Sequence, residues 1–286
     1  MSNPNFRTNL SRTLPNGLHC QDDSSPNMSQ AECQIVCGDL DYIANQTILR
    51  NCFELQWDEW EEKIRSALDT AHADNLPMAS LYARARGISE IELLNSLARL
   101  ANDHLEVRAL FHFFSIEGMA RALDIYEGRP LINHISGECW ALEKALPMLK
   151  KYPVSVVVQP IDDAGIPATA AARIEVAMRV ADMIEPFGID RGDIYVDGLT
   201  PSIETLPFPL QVSLETISAA KEAGFGTILW PANAGLGCAT GTMAAGAYAA
   251  LAVQAGLDLA VVASSDRHLI DIIKNANLIL KREIKS

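Results

Sequence analysis

Basic residues are scarce in this 286-residue chain, where 23 Lys and Arg stand against 36 Asp and Glu for a net charge of −13. Nucleic-acid binding draws on clustered cations that displace counterions, so this balance argues against a polyanionic partner or a polybasic membrane anchor. Aromatics are few as well, at 6%. No apolar run approaches the roughly 18 residues of a membrane-spanning helix. The polar start MSNPNFRTNLSRTLPNGLHC has no apolar core of the kind a secretory signal carries. Six cysteines (Cys20, Cys33, Cys37, Cys52, Cys139 and Cys238) include no C-x-x-C pair, a spacing that reads as reduced thiols rather than a disulfide framework or a zinc site. An HExxH motif, a His/Cys/Glu cluster and a GxSxG elbow are also missing, which predicts no bound metal and no serine-hydrolase chemistry. The expectation is a soluble, cytoplasmic protein.

What is present is alternation. Residues 1–32 are rich in Asn, Ser, Pro and Gln and read as an irregular extension. From Cys33 onward, eight short apolar runs recur at 33–40, 78–84, 107–113, 130–136, 154–160, 193–199, 226–232 and 259–265. Runs such as VSVVV suit strands buried on both faces. Between them lie stretches with apolar residues three and four apart, several ending at Gly, as amphipathic helices do. Eight β–α units joined by right-handed crossovers predict a (β/α)₈ TIM barrel, an α/β fold, over residues 33–286. A doubly wound open sheet is the alternative.

A barrel places function at the C-terminal ends of its strands. The polar residues there are His112, Asn133, His134, Ser136, Gln159, Asp162, Asp163, Asp197, Asn233, Ser264, Ser265 and Asp266. Asn133 interrupts a hydrophobic strand in LINHISGE, and Asp197 ends IYV. Either could merely tie strand ends together, because a buried amide left unsatisfied costs about 1–3 kcal/mol. Three such groups on three strands of one face, with Asn233 as the third, favour a binding pocket. Amides and a carboxylate suit a neutral heterocycle with a donor–acceptor edge, such as a pterin. The glycines of GLGCATG (235–241) are a weak match to a phosphate-cradling loop, since the spacing departs from GxGxxG and no Lys or Arg lies within it.

LINHISGE, DDAGIP (162–167), YVDGL (195–199) and WPAN (230–233), in that order, resemble the blocks of the pterin-binding barrel family. That family comprises dihydropteroate synthases and the methyltransferases that exchange a methyl group between tetrahydrofolate and a corrinoid protein, and the chain looks more like the methyltransferases. The similarity is good over about residues 105–284 and poor over 33–104. The resemblance implies a methyltransferase with tetrahydrofolate or methyltetrahydrofolate as substrate, a cobalamin-carrying partner protein and a homodimer. It implies that Asn133 and Asp197 hold the pterin ring, with His112, Ser136, Gln159 and Asp162 around it. Asn233 matches an amide near N5, the nitrogen that carries the methyl group, and is the catalytic candidate. The chain departs from the family at His112, where an Asp is usual, at SLYAR in place of an LDxN block, at Gly198 in place of Pro, and near Gly241, where an Arg is usual. A non-catalytic accessory protein that docks the corrinoid partner, and a dihydropteroate synthase, are the alternatives.

Overall fold

The computed structural model describes residues 33–38, 57–82, 87–202, 209–263 and 265–283. Within them, strands and helices alternate: β1 (Gln34–Gly38), α1 (Trp57–Ala73), β2 (Met78–Tyr82), α2 (Glu90–Asn102), β3 (Arg108–His112), α3 (Ile116–Ile125), β4 (Leu131–Ser136) and α4 (Cys139–Lys151). They continue with β5 (Ser155–Gln159), α5 (Ala170–Ile184), β6 (Ile194–Asp197), α6 (Leu210–Glu222), β7 (Gly226–Leu229), α7 (Gly241–Gln254), β8 (Leu259–Ala263) and α8 (Arg267–Glu283). Each strand pairs in parallel with the next, and β8 pairs with β1, so the sheet is a closed barrel. All eight strands fall inside the apolar runs predicted from sequence. The expected extension, residues 1–32, lies outside the described residues.

Side-chain alternation along the strands divides two cores. Outward residues such as Ala79, Leu81, Phe111, Ile132, Val156, Val158, Val196 and Val262 pack under the helices. Inward ones (Met78, Leu110, Leu131, Val157, Tyr195, Ile228, Leu259 and Val261) fill the barrel axis. Full burial of an aliphatic side chain contributes about 1.5–3 kcal/mol, so both faces of the sheet must be covered for the fold to hold. Several helices start on side-chain caps: Ser89 and Glu92 form a reciprocal capping box on α2, and Ser115 and Thr169 cap α3 and α5.

The barrel is closed at its N-terminal end by a polar plug. Arg129 pairs with Asp193, whose carboxylate also accepts from Ser155 Oγ at 3.0 Å. Arg108 Nε donates to the Arg129 carbonyl at 3.0 Å. Polar groups at the opposite end are therefore the ones left to meet a ligand.

One strand breaks the two-residue rhythm. In β4 the pairing with β5 runs Asn133 to Val157 and then Ile135 to Val158, a register shift that passes over His134, and the Asn133–His134 peptide is cis. Ile132 and Ile135 both pack outward. The additional residue thus lets Asn133 and Ser136, three positions apart, both face the barrel axis.

Candidate functional site at the C-terminal mouth

Going up the axis, the inward side chains change from aliphatic to polar and aromatic at the last residue or two of each strand. On β2 Met78 is followed by Ser80 and Tyr82, on β3 Leu110 by His112, and on β4 Leu131 by Asn133. Val157 on β5 is followed by Gln159, Tyr195 on β6 by Asp197, and Ile228 on β7 by Trp230. Tyr82, His112 and Asn133 are level across three adjacent strands.

His112 sits between two neighbours. Its Nε2 is 2.7 Å from Ser80 Oγ, and Asn133 Nδ2 donates to its Nδ1 at 2.9 Å. The ring lies 4.8 Å from that of Tyr82 and meets Trp230 edge-on at 5.8 Å. Burial, reinforced by nearby His134, holds His112 neutral, with its pKa lowered to about 3. An amide N–H can only donate, so Nδ1 is the bare nitrogen and Nε2 carries the proton to Ser80. Asn133 Oδ1 is then buried with no hydrogen-bond partner.

Asp197 is also buried, and burial raises its pKa to about 6, against the lowering effects of the Leu199 N–H, Arg173 and Gln159. Leu199 N donates to Asp197 Oδ1 at 2.8 Å from a left-handed residue with φ of 55°. Behind this turn, the fully buried Arg173 on α5 donates through Nη1 to the Gly198 carbonyl at 3.0 Å. Ser213 Oγ donates to the same carbonyl at 2.6 Å and accepts from Tyr248 at 2.7 Å. Gly198 stands where a Pro was expected because its N–H donates to the Ile228 carbonyl, and a Cβ there would lie 2.7 Å from Leu229 and 3.0 Å from Ile217.

Of the residues picked from sequence, His112 and Asn133 are joined directly, and Asp197 and Gln159 interact on neighbouring strands. Asn233 lies half-buried in the 3₁₀ turn Pro231–Gly235 that follows β7. Ser136 and Asp162 are occupied at the rim. Ser136 Oγ donates to Glu138 at 2.9 Å, while Asp162 closes its own turn through the Ala164 N–H at 2.9 Å. His134 is mostly buried beside Asn133, and burial lowers its pKa. Ser264 lies outside the described residues. Among the described residues, no group of His, Cys, Asp and Glu stands close enough to hold a metal ion, and no helix is long and apolar enough to cross a membrane.

Sequence reasoning missed Tyr82, Trp230, Ser80 and Arg173. The first two were legible as aromatics at strand ends, in SLYAR and TILWPA, whereas only polar strand ends were counted. The glycines of the 235–241 loop have a packing explanation. A Cβ on Gly235 would lie 2.1 Å from the Gly241 carbonyl oxygen, and one on Gly241 would lie 2.3 Å from that of Gly235. The two backbones touch, so the phosphate-loop reading is not needed to account for them.

No family model matches the chain. Solved structures do. The 7,8-dihydropteroate synthase from Vibrio fischeri ES114 superposes with a TM-score of 0.64 at 14% identity, covering 89% of this chain and 94% of that one. The chain shares the fold of these enzymes. Dihydropteroate synthase from Xanthomonas albilineans, solved in complex with 7,8-dihydropteroate, gives 0.61 at 14% identity over 88% and 94% of the two chains. The Yersinia pestis enzyme gives 0.58 at 10% over 89% and 94%.

Proposed function

We propose that this protein binds a reduced pterin at the barrel mouth and exchanges a methyl group between tetrahydrofolate and a corrinoid carried by a partner protein. The observation that carries the pterin reading is the pairing of two buried acceptors, the partnerless Asn133 Oδ1 and the carboxylate of Asp197. The amide oxygen costs free energy until a donor meets it, the carboxylate can accept more than the Leu199 N–H, and a 2-amino-4-oxo pterin presents N–H donors in a plane. Tyr82 and Trp230 flank the same wall and supply aromatic surface for a flat ring.

The methyltransferase branch is supported by the ordered sequence blocks and by the rim. Phe114, Trp140 and Ile166 follow β3, β4 and β5 and are 62%, 57% and 46% exposed, apolar side chains after three successive strands of the sort a corrin face would meet. The Glu90 carboxylate accepts from the Phe114 and Ser115 N–H groups and holds that part of the rim. The partner's cobalt centre would supply the group that takes or gives the methyl. Within this chain, Asp197 and Asn133 orient the pterin, and the Asn233 amide stabilises charge at N5. A tertiary amine is a poor leaving group until N5 is protonated, so an amide oxygen accepting from that N–H favours departure of the methyl, with N5 keeping the bonding electrons.

Titration of the purified protein with methyltetrahydrofolate, followed by methyl transfer to a corrinoid protein, tests the reading. Asn233→Ala should abolish transfer and leave thermal unfolding unchanged. Absence of binding at millimolar reduced folate would refute the pterin reading, and binding without transfer would favour the accessory role. A dihydropteroate synthase activity has the shared fold in its favour, and the same protein should then condense a dihydropterin pyrophosphate with an aminobenzoate. Arg179, a cation on that side of the barrel, is engaged with the Gly137 carbonyl and Asp162, an arrangement that does not favour pyrophosphate departure.

A further inference from the structure

We infer that His112 is a positioning residue that sets which face of the Asn133 amide meets the ligand, making this wall of the pocket an uncharged hydrogen-bond acceptor. The inference rests on the heterocycle-binding reading above and narrows it to a ligand whose edge toward β3 and β4 is an N–H donor.

The three residues form a chain across adjacent strands, Ser80 on β2, His112 on β3 and Asn133 on β4, with links of 2.7 and 2.9 Å. A primary amide is nearly symmetric in shape, so its orientation is decided by what its two ends meet. His112 Nδ1 takes the Nδ2 end, which leaves Oδ1 as the free end, fully buried and without a partner. Had the imidazole carried its proton on Nδ1, the amide would turn over and present an N–H₂ donor instead. Ser80 enters as the acceptor for the Nε2 proton, a role its hydroxyl can take once Asn133 has claimed Nδ1. The ring packs against those of Tyr82 and Trp230, at 4.8 and 5.8 Å between centroids. A buried acceptor selects strongly, because a ligand lacking the donor leaves it unpaired. A carboxylate at position 112 would add a negative charge to this wall, whereas His112 adds none, so Asp197 is the charge that the ligand must answer.

Two measurements on the full-length protein test this. In ¹⁵N-labelled protein at pH 7, with His112 assigned by the loss of its signals in His112→Asn, the ring should carry one proton, on Nε2. A proton on Nδ1, or on both nitrogens, overturns the inference. The second measurement is tetrahydrofolate affinity in two variants with opposite virtues. His112→Asn keeps an acceptor near the Nδ1 position and discards the ring, while His112→Phe keeps the ring and discards the acceptor. Positioning predicts that the Asn variant binds within about threefold of wild type while the Phe variant loses about tenfold, the effect of one hydrogen bond. The reverse order indicates ring packing alone and overturns the inference, as do equal losses or no loss in either variant. If wild type fails to bind tetrahydrofolate, the pterin reading falls, and the protonation state of His112 still decides whether the amide is set as described.

Discussion

Replacing Asp197 by Asn removes a charge that the fold holds at a cost, and the cost can be read from its titration. Burial raises the carboxyl from the ordinary carboxylate range to about 6. Because the folded-state pKa lies above the unfolded one, the penalty is fully present above pH 6 and is relieved as pH falls through 6. At about 1.4 kcal/mol per pKa unit, the ionised group costs the native state about 3 kcal/mol near neutrality. Asn keeps an oxygen for the Leu199 N–H, so Asp197→Asn should be more stable than wild type by about 1–3 kcal/mol at pH 7.5. At pH 5 the folded wild type holds its proton about ten to one, so the advantage should shrink by about 1.4 kcal/mol. His112 acts in the opposite sense. With its pKa lowered to about 3, it stays neutral in the fold while the unfolded chain takes up a proton below about 6.5, costing about 2 kcal/mol by pH 5. The two effects nearly cancel in wild type, and the difference between wild type and variant isolates the carboxyl. Urea unfolding of both proteins at pH 7.5 and pH 5 measures that difference. An Asn variant less stable than wild type at pH 7.5, or an advantage that grows toward pH 5, would refute the account of Asp197 as a strained, ligand-seeking acceptor.

Other outcomes follow from the same geometry. Asp197→Asn should also weaken tetrahydrofolate binding at least tenfold by calorimetry, so that stability and affinity move in opposite directions; equal affinity in the variant would remove Asp197 from the site. Gly235→Ala places a Cβ against the Gly241 backbone and should cost about 1–3 kcal/mol in chemical denaturation, with no change in that figure when phosphate is added. Helix α7, GTMAAGAYAALAVQ, has no charged residue, and its Met243 and Leu251 are 73% and 55% exposed; Leu278 and Ile279 on the adjacent α8 are exposed as well. A homodimer through this face predicts that Leu251→Arg sediments as a monomer where wild type does not; a monomeric wild type at tens of micromolar would end that idea.

The barrel was legible because parallel strands covered on both sides read as unbroken apolar runs, as in Val156–Val158, and because helices such as α2 keep apolar residues three and four apart. The site was legible in part. Asn133 and Asp197 announce themselves as polar residues where a strand should end apolar. Their partners do not, since Ser80 reaches His112 only through the register of β2 with β3. Arg173 was hidden for a different reason. It sits in a helix whose pattern gives no sign that its guanidinium is drawn inside to hold the Gly198 carbonyl. The glycines of the 235–241 loop show the converse hazard, where a motif-like spacing has its cause in two backbones that touch.

The additional residue in β4 bears on any attempt to move this pocket elsewhere. Copying Asn133 and Ser136 onto a regular strand of another barrel would point one of them inward and the other into the helical layer, however faithful the side chains. The transferable unit is the irregular strand, His134 included. A variant lacking His134 would leave Asn133 and Ser136 two positions apart, where a regular strand points both the same way, so the deletion keeps their shared direction and removes only the irregularity.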